Sequence, residues 1–201
     1  FSLILEGIGA LFIYHSLSHI GSVTHRGFFA VFHAISGYCN AGFSLASDNI
    51  YDKNLQFNYY MQWILMGLIV FGGLGYHIAA NIIQYFKKFI INIFRKQDER
   101  MFISRVINLN TKIVLYTTII LIVAGAVFFL FSEQQTVLLS HPTAFGKFTT
   151  AMFSSVTSRT AGFNTVDMAH FTIPGILFMI FLMWIGASPA STGGGIKTST
   201  F

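Results

Sequence analysis

The sequence predicts an all-α membrane protein built from two similar units, and three observations carry the prediction. Only 9% of the 201 residues are charged and 54% are hydrophobic, whereas soluble domains carry about a quarter charged residues. Apolar runs long enough to cross a bilayer alternate with shorter ones of about half that length. The tripeptide Ala-Gly-Phe occurs twice, at residues 41–43 and 161–163, an offset of 120.

Taken in order, Phe1 to Tyr14 reads as the outer part of an outward-going span. It contains Glu6, a functional candidate by its placement in a span, with a lipid-interface position or a helix–helix hydrogen bond as the alternative. Gly27 to Gly37 is apolar but, at roughly 15–20 Å as a helix, too short to cross, so it is expected to dip in and return. Tyr59 to Phe86 is a second span, with Asn58 as N-cap. Tyr59, Tyr60 and Trp63 form an aromatic belt at one end and Lys87-Lys88 mark the other.

Seven of the twelve Lys and Arg lie between Lys87 and Lys112 (Lys87, Lys88, Arg95, Lys96, Arg100, Arg105, Lys112), against Asp98 and Glu99 alone. The positive-inside rule places this loop in the cytoplasm. A nucleic-acid partner is not expected, because no base-stacking motif is interleaved with the charge. Ile113 to Phe131 carries no charge and is the clearest span, which places Ser132 to Phe148, with Glu133, on the outer side. Thr143 to Ser155 is a second short dipping helix. Ile173 to Ile185 enters the membrane for about 20 Å before Gly186, Pro189 and Gly193 to Gly195 interrupt it. The expected organisation is a first pore unit at 1–86, a basic cytoplasmic loop at 87–112, and a second pore unit with a broken inner helix at 113–201.

At the same offset of 120, Phe28 aligns with Phe148, Gly73 with Gly193 and Gly75 with Gly195. Each unit is then a span, a dipping helix, an Ala-Gly-Phe loop and a span. Two crossings per unit keep successive copies in one orientation, related by an axis along the membrane normal, so that equivalent loops line a central path. Irregular backbone at membrane depth survives only inside protein or against a wet cavity, to which it offers carbonyl oxygens. A ring of carbonyls replaces the hydration shell of a weakly hydrated cation, and glycine supplies the torsions that turn them inward. The negative C-terminal ends of the two dipping helices favour a cation at the same place. Alternatively, Ala-Gly-Phe is a tight turn that packs Phe43 and Phe163 into the bundle.

The stretches AVFHAISGYCNAGFSL, SSVTSRTAGFNTVD and GASPASTGGGIKTSTF, with EGIGAL at the start and FGGLG in the second span, resemble the Trk/Ktr/HKT superfamily of potassium transporters. That family arranges four span–loop–span units around one pore. This sequence, which begins and ends inside apolar or glycine-rich runs and so reads as a fragment, would hold units two and three. The resemblance implies potassium bound only at a filter made by the backbone carbonyls of Asn40, Ala41, Gly42, Thr160, Ala161 and Gly162. It also implies an intramembrane gate loop comprising Gly186, Ser188, Pro189, Ser191, Thr192, Gly193, Gly194 and Gly195. Lys197 would be a gate charge or a snorkelling lysine. Further implications are a multi-pass protein of the cell (inner) membrane, contact with lipid, a homodimer, a cytosolic nucleotide-binding regulatory subunit and no cofactor. On this reading, removing Ala190 to Gly194 raises cation flux and leaves the filter's preference intact. A secondary transporter with its substrate site at the Gly186 to Gly195 break is the alternative.

Other features point away from catalysis. The glycine run resembles a phosphate loop, but Ile196 separates Gly195 from Lys197 and no strand precedes it. The Gly186-Ala187-Ser188 stretch lacks the strand of a nucleophile elbow, and no enzymatic activity is expected. His15 and His19, with His25 nearby, have a zinc-like spacing but no carboxylate or cysteine beside them. A single cysteine, Cys39, excludes a disulfide within the chain. Arg159, three residues before Gly162, is expected to brace the loop from behind rather than face cations. Asp48 and Asp167 either enrich cations at the outer mouth or cap the turns that follow.

Overall fold

The computed structural model describes residues 2–18, 25–94, 109–189 and 191–197, with the side chains of 86 and 88–94 not described. It contains seven α-helices: α1 Ser2–Ser16, α2 Arg26–Tyr38, α3 Tyr59–Leu74, α4 Tyr76–Phe94, α5 Leu109–Ser132, α6 Ala144–Ser158 and α7 Ile173–Trp184. The expected all-α class is borne out, with an isolated bridge between Ile185 and Ile196 as the one sheet-like pairing among the described residues. Most of the basic loop, residues 95–108, lies outside the described residues; Lys87 and Lys112 at its ends are exposed.

α5, at 24 residues, is long and apolar enough to cross a membrane, extending about 36 Å. The two short helices are present as expected, α2 with 13 residues and α6 with 15. Thr143 caps α6 by accepting from the Gly146 amide at 3.0 Å, and Asn58 caps α3 by accepting from Met61 at 3.1 Å.

The span expected from Tyr59 to Phe86 is two helices rather than one. It breaks at Gly75, where φ is 76°, and α4 leaves α3 at 103°. Glycine adopts this left-handed torsion without the Cβ penalty. The pattern changes at the break, from an α3 that is apolar nearly all round to an amphipathic α4 that carries His77, Asn81 and Gln84, a signal that reading Tyr59 to Phe86 as one span passed over. α4 then packs on the start of α5 through Ile78 against Val114 and through the Asn81 amide, which donates to Thr111 Oγ1 at 3.1 Å.

α1 pairs with α2 and α5 with α6, while α3 lies between α2 and α6. One apolar cluster joins the units, with Ile13, Ala34, Met61 and Leu65 from the first against Phe153, Val156 and Phe163 from the second. Gly72 lets α3 pass over the end of α2, since a Cβ there would strike the Tyr38 carbonyl oxygen. The outer faces of α5 and α7 leave Tyr116, Ile119, Ile120, Leu177, Ile180 and Trp184 exposed, a surface suited to lipid or further apolar protein.

Glu133, in the loop that follows α5, is buried at 1% exposure. Its carboxylate accepts from Thr136 Oγ1 at 2.5 Å, Thr172 Oγ1 at 2.6 Å, the Thr172 amide at 3.2 Å and Ser132 Oγ at 3.2 Å. The charge sits at the N-terminus of α7, where the helix dipole favours it. These donors are threonine and serine groups in an otherwise unremarkable loop, so sequence pattern did not mark the site. Gly175 packs so closely on the carboxylate that a Cβ would overlap Oε1. Gly175→Ala is therefore expected to destabilise the protein by about 1–3 kcal/mol through overpacking, measured by denaturation in detergent.

A second polar tie joins the units near this face. Buried His141 pairs through Nδ1 with the Tyr59 hydroxyl at 2.9 Å and through Nε2 with Thr150 Oγ1 at 3.2 Å. Burial, and then Lys147, hold its pKa below the usual histidine value of 6.5. The folded protein thus keeps the ring neutral while the unfolded chain takes a proton as pH falls, so stability is complete above about pH 6.5 and declines below it. The melting temperature is expected to fall between about pH 7.5 and pH 5.5, and His141→Asn to lessen that fall.

Candidate functional site

The C-terminal ends of α2 and α6 run directly into the two Ala-Gly-Phe loops. Four residues there have positive φ: Asn40 (52°) and Gly42 (71°) in the first loop, Thr160 (82°) and Gly162 (81°) in the second. These are the same positions at an offset of 120, as are Gly75 (76°) and Gly195 (75°). The duplication read from sequence is thus repeated in backbone torsions. Ala41 and Ala161 lie between with negative φ. Alternating signs turn successive carbonyls towards one side, where a uniform extended strand would turn them to opposite sides.

Among the described residues, the carbonyls of Asn40, Ala41, Thr160, Ala161 and Gly162 accept no hydrogen bond from the protein. The Gly42 carbonyl does, from Asn49 Nδ2 at 3.1 Å. Unpaired carbonyls of this kind call for water or a cation. The two loops touch: a Cβ on Gly42 would collide with the Ala161 carbonyl, whereas one on Gly162 would lie 3.7 Å from Gly42 Cα. The turn-packing alternative describes Phe163, 1% exposed, but not Phe43, 70% exposed.

Matching hydroxyl clips hold the loops. Ser36 Oγ donates to the Phe43 carbonyl at 2.8 Å and Thr157 Oγ1 to the Phe163 carbonyl at 2.7 Å. His33 adds a tie in the first unit. Its Nδ1–H donates to the Phe29 carbonyl at 2.8 Å, which leaves Nε2 to accept from Ser44 Oγ at 2.9 Å. Asn49, at φ 59°, donates to Gly42 and accepts from the Asn164 amide at 3.4 Å, bridging the two loops. Sequence reasoning passed over Ser36, Thr157, His33 and Asn49. The hydroxyl in the last turn of each short helix was the available signal, and for Asn49 there was none.

The glycine-rich stretch folds back on α7. The Gly186 amide donates to Ile196 at 2.9 Å, Ala187 to Gly194 at 3.1 Å and Ile196 to Trp184 at 3.2 Å. It docks on the break in α3, where the Ser188 amide donates to Gly73 at 3.1 Å and the Thr192 amide to Gly72 at 3.4 Å. Thr192 Oγ1 donates to the Tyr38 carbonyl at 3.0 Å and accepts from Asn40 Nδ2 at 2.8 Å. Within the loop, Ser191 Oγ donates to Ser188 at 2.6 Å and Lys197 Nζ to Gly193 at 2.8 Å. Ser188 and Gly193 are buried, Pro189 and Ser191 half-buried, and Gly194 and Gly195 exposed, while Ala190 lies outside the described residues. The amides of Gly186, Ala187, Ser188, Thr192 and Ile196 are thus engaged by carbonyls, and Lys197 Nζ is bonded to the Gly193 carbonyl rather than left for a phosphate.

Arg159 turns away from the loop interior. Its Nη1 donates to the Thr118 carbonyl of α5 at 3.4 Å, beside a cavity of about 20 Å³ that Gly73 and Ala187 also line. Asp167 caps a short turn, accepting from the Ala169 amide at 2.9 Å and pairing with His170 at 2.9 Å; Asp48 is exposed and makes no capping bond. His15 and His25 are exposed, His19 lies outside the described residues, and the described residues contain no cluster of three metal-binding side chains.

Comparison with known proteins follows the same geometry. The family model described as TrkH, cation transport protein, matches residues 3–201. The chain is 37% identical to the Ktr system potassium uptake protein B of Vibrio alginolyticus, covering 100% of this chain and 41% of that protein. It is 33% identical to the potassium/sodium uptake protein NtpJ of Enterococcus hirae, covering 86% and 34%. With the Ktr system potassium uptake protein B of Bacillus subtilis the identity is 31%, covering 100% and 41%. The chain therefore spans less than half the length of these relatives. The crystal structure of the potassium transporter TrkH from Vibrio parahaemolyticus shares the fold, with a TM-score of 0.60 at 16% identity over 98% of this chain and 45% of that one.

Proposed function

Because the chain belongs to the TrkH family of cation transport proteins, we propose that it forms two of the pore units of a potassium uptake protein and contributes two segments of a carbonyl filter. The observation that carries this reading is the pair of alternating-torsion loops at equivalent positions, each with carbonyls unclaimed by the protein. Dehydrating potassium is less costly than dehydrating smaller cations, and a row of carbonyls compensates for it. The C-terminal ends of α2 and α6 add negative potential at the same place. Two loops in contact make an arc, and the remaining units of the full-length protein close it into a ring.

The loop from Gly186 to Gly195 is the gate, held closed against the first unit by the bonds of Ser188 and Thr192. Lys197 stabilises the closed form through the Gly193 carbonyl. The transporter alternative is less well supported, because the side chains at the helix break that could hold a substrate, Ser188, Ser191, Thr192 and Lys197, are each bonded within the protein. On this reading the full-length protein is a multi-pass homodimer of the cell inner membrane, worked by a cytosolic nucleotide-binding subunit; the naming of two relatives as protein B of a Ktr system is in keeping with an assembly of several components.

The test compares Gly42→Ser and Gly162→Ser in the full-length protein, reading rubidium and sodium uptake into liposomes. Both substitutions oppose a positive φ, so both are expected to weaken the preference for rubidium. Gly42→Ser also meets the Ala161 carbonyl and is expected to be the more damaging. Wild-type rate and preference in both variants would remove these loops from the filter.

A further inference from the structure

We infer that the Thr192-Gly193 step of the gate loop holds both filter loops in their ion-binding conformation, so that opening the gate also loosens the filter. This inference rests on the gate and filter assignments above and adds a coupling between them. The two filter positions concerned, Asn40 and Thr160, are equivalent under the repeat, and neither is glycine although both have positive φ. Asparagine tolerates the left-handed region, whereas a β-branched threonine there is an outlier that persists only when its surroundings impose it.

Consecutive residues of the gate loop provide those surroundings. Thr192 Oγ1 accepts from Asn40 Nδ2 at 2.8 Å and donates to the Tyr38 carbonyl at 3.0 Å, gripping the first loop on both sides of Cys39. Gly193 abuts the second loop: a Cβ on it would lie 2.7 Å from Thr160 Oγ1. That hydroxyl is buried without a hydrogen-bond partner, so Gly193 confines it by contact alone. Lys197 holds the Gly193 carbonyl at 2.8 Å and keeps this wall in place.

When the loop swings aside, the Asn40 amide loses its acceptor, the Tyr38 carbonyl its donor and Thr160 its wall. Both positions are then free to relax towards negative φ, which turns their carbonyls out of the shared row. The sequence-based expectation that shortening the gate leaves ion preference intact is therefore replaced: preference falls as flux rises. Thr192 is a positioning residue in this scheme, acting on ions through Asn40.

The experiment measures rubidium uptake against concentration, with and without competing sodium, for the full-length protein in liposomes. Thr192→Val keeps the side-chain shape and removes both bonds. It is expected to raise the half-saturating rubidium concentration and to lower preference over sodium by about threefold to tenfold, the weight of one or two hydrogen bonds. Thr192→Ser should restore both quantities, and Asn40→Ala combined with Thr192→Val should be no worse than the stronger single variant. Should Thr192→Val give no folded protein, Asn40→Ala carries the same comparison with Thr192→Ser as control. A change in maximal rate alone, or effects that multiply in the double variant, overturns the coupling. Deleting residues 191–194 separates the two levels: flux that fails to rise overturns the gate itself, and flux that rises with preference unchanged overturns the coupling while the gate stands.

Discussion

Two helices of this protein break in the same region, and each break satisfies the other. Where α3 stops at Leu74, the Gly73 carbonyl would be left without a partner and the Gly72 carbonyl with the Gly75 amide alone; they receive the amides of Ser188 and Thr192 from the loop that follows α7. In lipid an unpaired backbone group costs several kcal/mol, about what water would otherwise relieve. A broken helix at membrane depth is therefore tolerable only if something polar is brought to it. Here each unit brings the other's partner, and the irregular backbone becomes a place where the two units are joined.

The repeat supplies the pieces and the differences between copies supply the function. α3 ends one residue before Gly75, while α7 ends eleven residues before Gly195. Equivalent glycines with nearly equal torsions thus follow a full helix in one unit and a folded loop in the other. The length that is helix in the first unit is a folded loop in the second, held to the first unit by bonds of about 0.5–1.5 kcal/mol each.

The parts that should not move are anchored differently. Glu133 is a buried charge tied to the start of α7 by several donors, and His141 joins α3 to α6. Removing one partner from such a site leaves a buried polar group unpaired, which costs far more than a surface contact. These ties fix the frame on the side away from the glycine-rich loop. The hydroxyl clips of Ser36 and Thr157 hold the two Ala-Gly-Phe loops, and Arg159 is bound behind the second of them to Thr118.

Much of this was legible in the sequence because it depends on local chemistry. Apolar length distinguished the crossing helix α5 from the short α2 and α6, since only some twenty residues reach across a bilayer. The recurrence of Ala-Gly-Phe and of Gly73 and Gly75 at one offset revealed the duplication, because glycine marks backbone that no other residue adopts as readily. What tertiary structure decided was every relation between distant segments. The pattern turns from uniformly apolar to amphipathic after Gly75, but the bend itself appears only once the glycine-rich loop after α7 supplies amides to the carbonyls of Gly72 and Gly73. The burial of Glu133 could not be read locally, because the threonines that enclose it lie up to 39 residues away. The contact of Thr192 with Asn40 spans 152 positions, and no spacing rule reaches that far: side-chain type is written locally, but which groups satisfy one another depends on how the helices pack.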